Sequence, residues 1–401
     1  MSSRYPGGVI SKTAPVPVGP VGGEGGSAPG IWTLEQASYW IKQGQWPLPP
    51  IPRQLWSWGY NVYGQLGQGN TTSYSSPKQV GALTTWSSTA CGESHTVAIK
   101  TDGTLWSWGR NFRGELGLGN KTSYSSPKQV GALTTWSSVA CGNLYTVAIK
   151  TDGTLWSWGA NGYGQLGLNT TVYYSSPKQV GALTTWLSTA CGGYHTVAIK
   201  TNGTLWSWGR NTDGQLGLGN ITNYSSPKQI GALTTWLSTA GGYSHTLAIK
   251  TDGTLWSWGD NAYGQLGLGN INDKLSPNQV GALTTWSSTA CGYYHTVAIK
   301  TNGTLWSWGR NTDGQLGLGN ITNYSSPNQV GALTTWSSAA CGESHTVAIQ
   351  NNGTLWSWGS SFRGQLGLGN TTYYSSPKQV GALTTWLRTA CGRYHTVAIH
   401  S

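Results

Sequence analysis

The pentapeptide Leu-Trp-Ser-Trp-Gly begins at Leu55 and returns at Leu105, Leu155, Leu205, Leu255, Leu305 and Leu355. The interval is 50 residues every time, with no insertion or deletion. A unit this short buries little apolar surface alone and must stack on its neighbours. The period therefore restricts the chain to a solenoid, a propeller or a linear array. Composition carries the same signature. Of 401 residues, 24 are Trp and 59 are Gly, against 2 Phe and 1 Met, and only 9% are charged. Copying one small unit produces such a skew.

Inside a unit the side-chain period is two. His95-Thr-Val-Ala-Ile-Lys100 places Val97 and Ile99 on one face and Thr96 and Ala98 on the other. Asp102-Gly103 is a two-residue hairpin signal. Leu105-Trp106-Ser107-Trp108 reads as the next strand, with both indoles on one face. A Gly/Asn-rich loop leads to a third strand, Pro77-Lys78-Gln79-Val80 in the first unit. A fourth surrounds Trp86 and runs into Ala90-Cys91-Gly92. Four antiparallel strands per unit make a propeller blade, so seven units predict an all-β, seven-bladed β-propeller over residues 51–401. The chain ends support closure. No strand precedes Leu55 in the first unit, and His395–His400 is left over at the end. Pairing that C-terminal strand with Leu55–Trp58 shuts the ring and removes the open sheet edges.

Trp-Gly-x-Asn-x-x-Gly-Gln-Leu-Gly-Leu-Gly, a following Pro, then Gly-x-x-His-Thr-x-Ala-Ile resembles the repeat of the regulator of chromosome condensation (RCC1) family across residues 55–400. The resemblance implies a seven-bladed propeller, in agreement with the count. It also implies partner binding, with small-GTPase exchange or chromatin contact as the family's roles. Exchange in that family depends on loop insertions and acidic contacts on one face. Here every repeat has one length and acids are sparse, which argues against exchange.

Strands that alternate in direction send their loops to two faces. The long loop after the Trp strand and the Cys-Gly-x-x-His connection share one face. The Asp-Gly hairpins and the Gly81-Ala82-Leu83-Thr84 connections share the other. Differences between copies gather on the first face. They give the candidate binding residues Tyr60, Tyr63, Arg110, Phe112, Arg113, Tyr163, Tyr194, Arg210, Asp213, Asp260, Tyr263, Tyr294, Arg310, Asp313, Phe362, Arg363 and Tyr394. The opposite face is nearly uniform and is expected to present a ring of Lys100, Lys150, Lys200, Lys250 and Lys300. With the Lys78-type slot, these lysines supply much of the net charge of +11.

Residues 1–30, rich in Gly, Pro, Ser and Val, predict an extended, flexible arm. Over residues 31–50, Thr33 and Gln36 form a capping box, and Leu34, Ala37 and Ile41 share a helical face. A short amphipathic helix is expected there, with Trp32, Leu34, Trp40, Ile41 and Trp46 as anchoring side chains. Tyr5-Pro-Gly-Gly-Val-Ile-Ser-Lys-Thr, Gly30-Ile-Trp-Thr-Leu-Glu-Gln-Ala and Trp46-Pro47 resemble a segment of virion structural proteins of tailed phages, notably of marine and cyanobacterial hosts. That resemblance implies a particle-bound protein: capsid decoration, head fibre or tail fibre.

Chemistry for catalysis is not visible. The 12 acidic residues are scattered, and no pair is placed for acid–base work. No Gly-rich loop opens a helix as a nucleotide cradle. Cys91/His95 and its copies offer metal-ligand types, but Tyr145 and Gly241 interrupt the series. A slot that accepts His or Tyr suits a hydrogen-bonding ring. The Trp slots suit packing between blades, large indoles against small Thr and Ala. No apolar run is long enough to span a bilayer, and no secretory signal is seen.

Together these features predict a non-enzymatic virion surface protein without cofactor or metal. Residues 1–50 would bind other virion proteins, copies would assemble on the particle, and assembly would occur in the host cytoplasm. The variable face would bind a host-surface glycan or envelope component, or simply shield the shell. No nucleic acid and no membrane insertion are expected. The alternative is a cellular RCC1-type partner-binding protein.

Overall fold

The computed structural model describes residues 52–401. The expected arm and helix, with Trp32, Leu34, Trp40, Ile41 and Trp46, lie outside the described residues. Among the described residues, twenty-eight strands and no helix are found. They form seven four-stranded antiparallel sheets, which are the seven blades of a closed propeller.

A representative blade runs Trp86–Cys91, His95–Lys100, Leu105–Gly109, Tyr124–Gln129. The first of these is the innermost, because Cys91 and its counterparts from all the blades line one central cavity. The Trp86 strand thus begins a blade, whereas the sequence reading ended a unit with it. The reason is local. The link at 92–94 is a tight hairpin, in which Gly92 N–H donates to His95 O at 2.9 Å. The 80–85 connection instead crosses from the outer edge of one blade to the inner edge of the next.

Closure follows the expected pairing. Gln54 to Gly59 pair antiparallel with His400 to His395, residue for residue. Trp386–Cys391 completes that sheet, so two strands from each end of the propeller region make the last blade. Gln54 opposite His400 means that the ring is entered and left on one face.

Trp, Thr and Ala share one face of a blade. Directly paired residues of antiparallel strands point the same way, and Thr96 faces Trp108 while Ala98 faces Trp106. The small side chains make room for the indoles beside them. The surface the indoles meet is the Val97, Ile99, Leu105 and Val130 face of the preceding blade, on which Trp136, Ala148 and Trp158 pack. The expectation of Trp against small residues is corrected accordingly.

The second indole of each Leu-Trp-Ser-Trp strand is also tied by a hydrogen bond. Trp108 Nε1–H donates to the Gln65 carbonyl at 3.0 Å, which also accepts from Thr96 Oγ1 at 2.8 Å. Trp58 makes the same bond to Gln365 O at 2.9 Å, across the closing seam. Gly117 lies so close to this indole's counterpart in the next blade that a Cβ on it would stand 2.7 Å from Trp158 Nε1, at φ +73°. Gly131 has a similar φ, +63°, with nothing near its Cβ position. Gly131→Ala is expected to lose only the left-handed penalty, about 1–2 kcal/mol. Gly117→Ala should lose roughly 1–3 kcal/mol more, from overpacking. Urea melts of the two variants check the difference.

Candidate functional site

The loop face is held rigid by repeated side-chain staples. In the loop after Leu105–Gly109, Asn111 Nδ2 donates to Asn120 O at 3.1 Å and Thr122 O at 2.9 Å. Its Oδ1 accepts from Leu116 N–H at 3.0 Å. Arg110 N–H donates to Ser94 O at 2.9 Å, locking the long loop to the hairpin at 92–94. Asn61, Asn161, Asn211, Asn261 and Asn311 repeat the Leu116-type contact in their own blades. The residues that differ between copies therefore sit on a preorganised frame.

The sequence-derived residues come together on this face as three clusters. In the first, aromatic rings form an arc. Tyr163 and Tyr194 lie 5.5 Å apart between centroids, and Tyr194 and Tyr243 5.8 Å. The arc continues from Tyr243 to Tyr294 at 5.8 Å and from Tyr294 to Tyr263 at 5.2 Å. Arg210 covers Tyr163 at 5.8 Å and Arg310 covers Tyr263 at 5.7 Å. These arginines also pair with Asp213 at 3.5 Å and Asp313 at 3.9 Å. Asp260 caps its own loop, accepting from Ala262 N–H at 3.0 Å, and burial raises its carboxyl pKa.

The second cluster joins the two ends of the ring. Phe362 meets Tyr394 at 4.9 Å, Tyr60 meets Tyr394 at 6.2 Å, and Arg363 lies 4.9 Å over Tyr60. The third places Tyr63 5.5 Å from Phe112, with Arg110 5.1 Å over the Phe112 ring and Arg113 5.5 Å over Tyr173. Phe112, Tyr163, Tyr263 and Phe362 are exposed although they stand in polar loops. Burial, with Tyr194 beside it, pushes the Tyr243 hydroxyl up to about 12. Burial and Glu343 do the same at Tyr394. These two phenols are neutral hydrogen-bond donors at physiological pH.

The selection from sequence missed the residues nearest the axis. Glu93, Asn143, Tyr243, Tyr293 and Arg393 rim a central cavity of about 150 Å3. Arg393 donates to Glu343 through Nε and to Glu93 through Nη1, the latter at 3.0 Å. Tyr293 O–H donates to Asn143 Oδ1 at 3.2 Å. The signal was present, since position 93 and its copies vary as much as the neighbouring position that supplied Tyr194, Tyr294 and Tyr394.

Below the rim is a belt of histidines. His95 Nε2 lies 3.1 Å from Thr146 Oγ1 of the next blade, and His395 Nε2 lies 3.1 Å from Thr96 Oγ1. Because Thr96 Oγ1 already donates to Gln65 O, the imidazole Nε2 must carry the proton and donate. Tyr145 fills the same slot, its hydroxyl donating to His195 O and lying 3.2 Å from Thr196 Oγ1. The slot holds a buried hydrogen-bonding ring, as its mixed occupancy predicts. The half-buried cysteines line the central cavity, with their thiols free, and desolvation pushes the Cys91 thiol well up.

On the opposite face, the expected open lysine ring is corrected. Lys100 Nζ lies 3.7 Å over the Trp106 ring and 5.3 Å over Trp86. Lys100 and Lys200 are only 9% and 8% exposed. The ammonium groups themselves lie on the indole faces, where cation–π attraction holds them at the strand ends.

Seven four-stranded blades closed by the C-terminal strand define a seven-bladed β-propeller of 50-residue repeats. The chain belongs to the RCC1 family. The regulator of chromosome condensation (RCC1) repeat matches at residues 54–99, 102–149, 152–199, 202–249, 252–299, 302–349 and 352–399. The Protein RCC2 homolog of Danio rerio is 43% identical over 54 residues, which cover 13% of this chain and 11% of that protein. The match thus spans about a tenth of that relative. Human WBSCR16 superposes with a TM-score of 0.78 at 25% identity, covering 87% of this chain and 99% of that one. Prp20p of Saccharomyces cerevisiae gives a TM-score of 0.78 at 22% identity, covering 88% and 92%. The yeast structure was described together with the binding of Prp20p to Gsp1p and histones. At that identity the likeness carries the fold alone.

Proposed function

We propose that this chain is a non-enzymatic, RCC1-type protein-binding propeller that docks partners through its loop face. The observation that carries the reading is the Tyr163–Tyr194–Tyr243–Tyr294–Tyr263 arc, flanked by Arg210 and Arg310 on a stapled frame. Tyrosine and arginine supply large, amphipathic contact area at low entropic cost, and they concentrate binding energy at interfaces. Family membership supports a protein partner over a small substrate.

The probes are Gsp1p and core histones, measured against the immobilised full chain. At least one is expected to bind. Tyr194→Ala, Tyr243→Ala and Tyr294→Ala together should weaken it more than about tenfold. Leu133→Ala and Leu183→Ala, at exposed positions on the other face, should leave it unchanged. Equal binding by the tyrosine variant and the wild type would remove the loop face as the docking surface.

The resemblance of residues 5–47 to phage virion proteins favours a second reading, in which the same disc is held on a particle by residues 1–50 and faces a host-surface component. The family matches lie wholly within residues 54–399 and support the first reading. Deleting residues 1–50 separates them. The second predicts a folded propeller that no longer joins particles, and normal occupancy of the truncated chain would exclude it.

A further inference from the structure

Between neighbouring blades, on the side of the Asp-Gly turns, lies a cavity that recurs around the disc. Four copies have volumes of about 400, 420, 420 and 430 Å3. Small-ligand sites start at roughly 300 Å3. Each copy is walled by two indoles, two leucines, a proline and a lysine; in one they are Trp136, Trp156, Leu118, Leu133, Pro177 and Lys150. Gln129, Val130, Ser176 and three glycines complete the wall.

Donors are in excess there. Lys150, Lys200, Lys250 and Lys300 place Nζ 3.8, 3.7, 3.8 and 3.6 Å from the centroids of Trp156, Trp206, Trp256 and Trp306. Every ion pair among the described residues uses arginine, and none of these ammonium groups has a carboxylate partner. An ammonium has three donors to satisfy. The complement is an acceptor-rich, negatively charged group attached to a body that lies against an indole face.

We propose that these inter-blade cavities bind the uronic-acid units of an acidic polysaccharide. The carboxylate meets the lysine, and the C–H face of the pyranose ring lies on the half-exposed indole. Repetition selects a polymer over a folded protein or a single small acid. Four cavities of one chemistry, at four of the seven blade junctions, engage a ligand that presents the same unit many times. Linked weak contacts then multiply into avidity. The cavities should differ in strength. Asp152 and Asp252 stand near Lys150 and Lys250, with their carboxylates engaged by Thr154 and Thr254. Asn202 and Asn302 occupy that place beside Lys200 and Lys300. Those two cavities meet no neighbouring negative charge of this kind and should bind more tightly.

The test uses the full chain and its tryptophan fluorescence, with calorimetry as a second readout. The probes are polygalacturonate, galacturonic acid monomer, neutral dextran and poly-glutamate. Polygalacturonate is expected to bind and shift the emission, far more tightly than the monomer or dextran, and to weaken as salt rises. Lys150→Gln, Lys200→Gln, Lys250→Gln and Lys300→Gln combined should reduce its affinity more than about tenfold. Gln350 already stands in the equivalent slot of another blade, so the fold accepts the change. Lys200→Gln with Lys300→Gln should lose more than the other pair. Undiminished binding by the fourfold variant, or equal binding of dextran, would overturn the site. Failure of polygalacturonate to bind would overturn it too. Poly-glutamate binding as well as polygalacturonate would overturn the sugar assignment in favour of an acidic peptide.

Discussion

Acid is expected to unfold this propeller over a narrow range below about pH 6. Burial pushes His95, His195, His245, His295, His345 and His395 down to about 3. The ordinary value is 6.5. Arg110, Arg210 and Arg310 add to the effect on His95, His195 and His295. Below 6.5 the unfolded chain takes up a proton at each imidazole while the folded ring does not. Stability is therefore complete above pH 6.5 and falls as the pH drops toward 3. Each histidine contributes a slope on the order of 1.4 kcal/mol per pH unit. Six acting together approach about 8 kcal/mol per pH unit, against a total stability of roughly 5–15 kcal/mol. Urea titrations between pH 7.5 and 5 should give a slope approaching six protons taken up on unfolding. His195→Tyr, which copies the residue already present at Tyr145, should remove one of them. A slope below two protons would show that the histidine belt is not desolvated.

Much of this fold is legible in the amino-acid sequence. The constant interval from Leu55 to Leu355 set the blade number, and the unpaired His395–His400 segment identified its closing partner. Periodicity says which residues share a face of one strand, and Val97 with Ile99 and Trp106 with Trp108 followed it. It does not say which strands share a sheet. The Trp86 strand was therefore assigned to the wrong blade, because its partner is chosen by the 92–94 hairpin and not by the repeat boundary. Copy-to-copy variation located the loop face, but it could not rank residues by distance from the axis. Arg393, between Glu93 and Glu343, is a contact among three blades that no single repeat encodes. Lysine composition misled for a related reason. A formal charge in a repeated slot looks like an exposed ring until the neighbouring indoles are placed around it.

Loss of the closing strands should be far more damaging than loss of any one indole at the seam. Trp58 is fully buried, packs with Val347, Ile349, Leu355 and Trp386, and hydrogen-bonds to Gln365 across the junction. Trp58→Ala leaves a cavity and removes one of the two donors to the Gln365 carbonyl, which keeps Thr396 Oγ1–H at 2.9 Å, with an expected loss of about 3–5 kcal/mol. Trp208→Ala should lose a similar amount, because Trp208 makes the same bond to Gln165 at 2.9 Å within an equivalent core. Equal losses would show that the seam is as well packed as any other blade junction. Truncation after Thr384 removes Trp386–Cys391 and His395–His400 together. The strands Gln54–Gly59 and Tyr74–Gln79 then keep only each other, and a lone hairpin is marginal in water. Val347, Ile349 and Leu355 lose the blade that covers them on one side, and Trp86 and Trp108 lose Val397 and Ile399 on the other. The truncated chain is expected to show no cooperative thermal transition and to aggregate, measured by circular dichroism and size-exclusion chromatography. A truncated chain that melted cooperatively as a monomer would mean that the remaining blades stand as an open array, and that closure is not what holds this ring together.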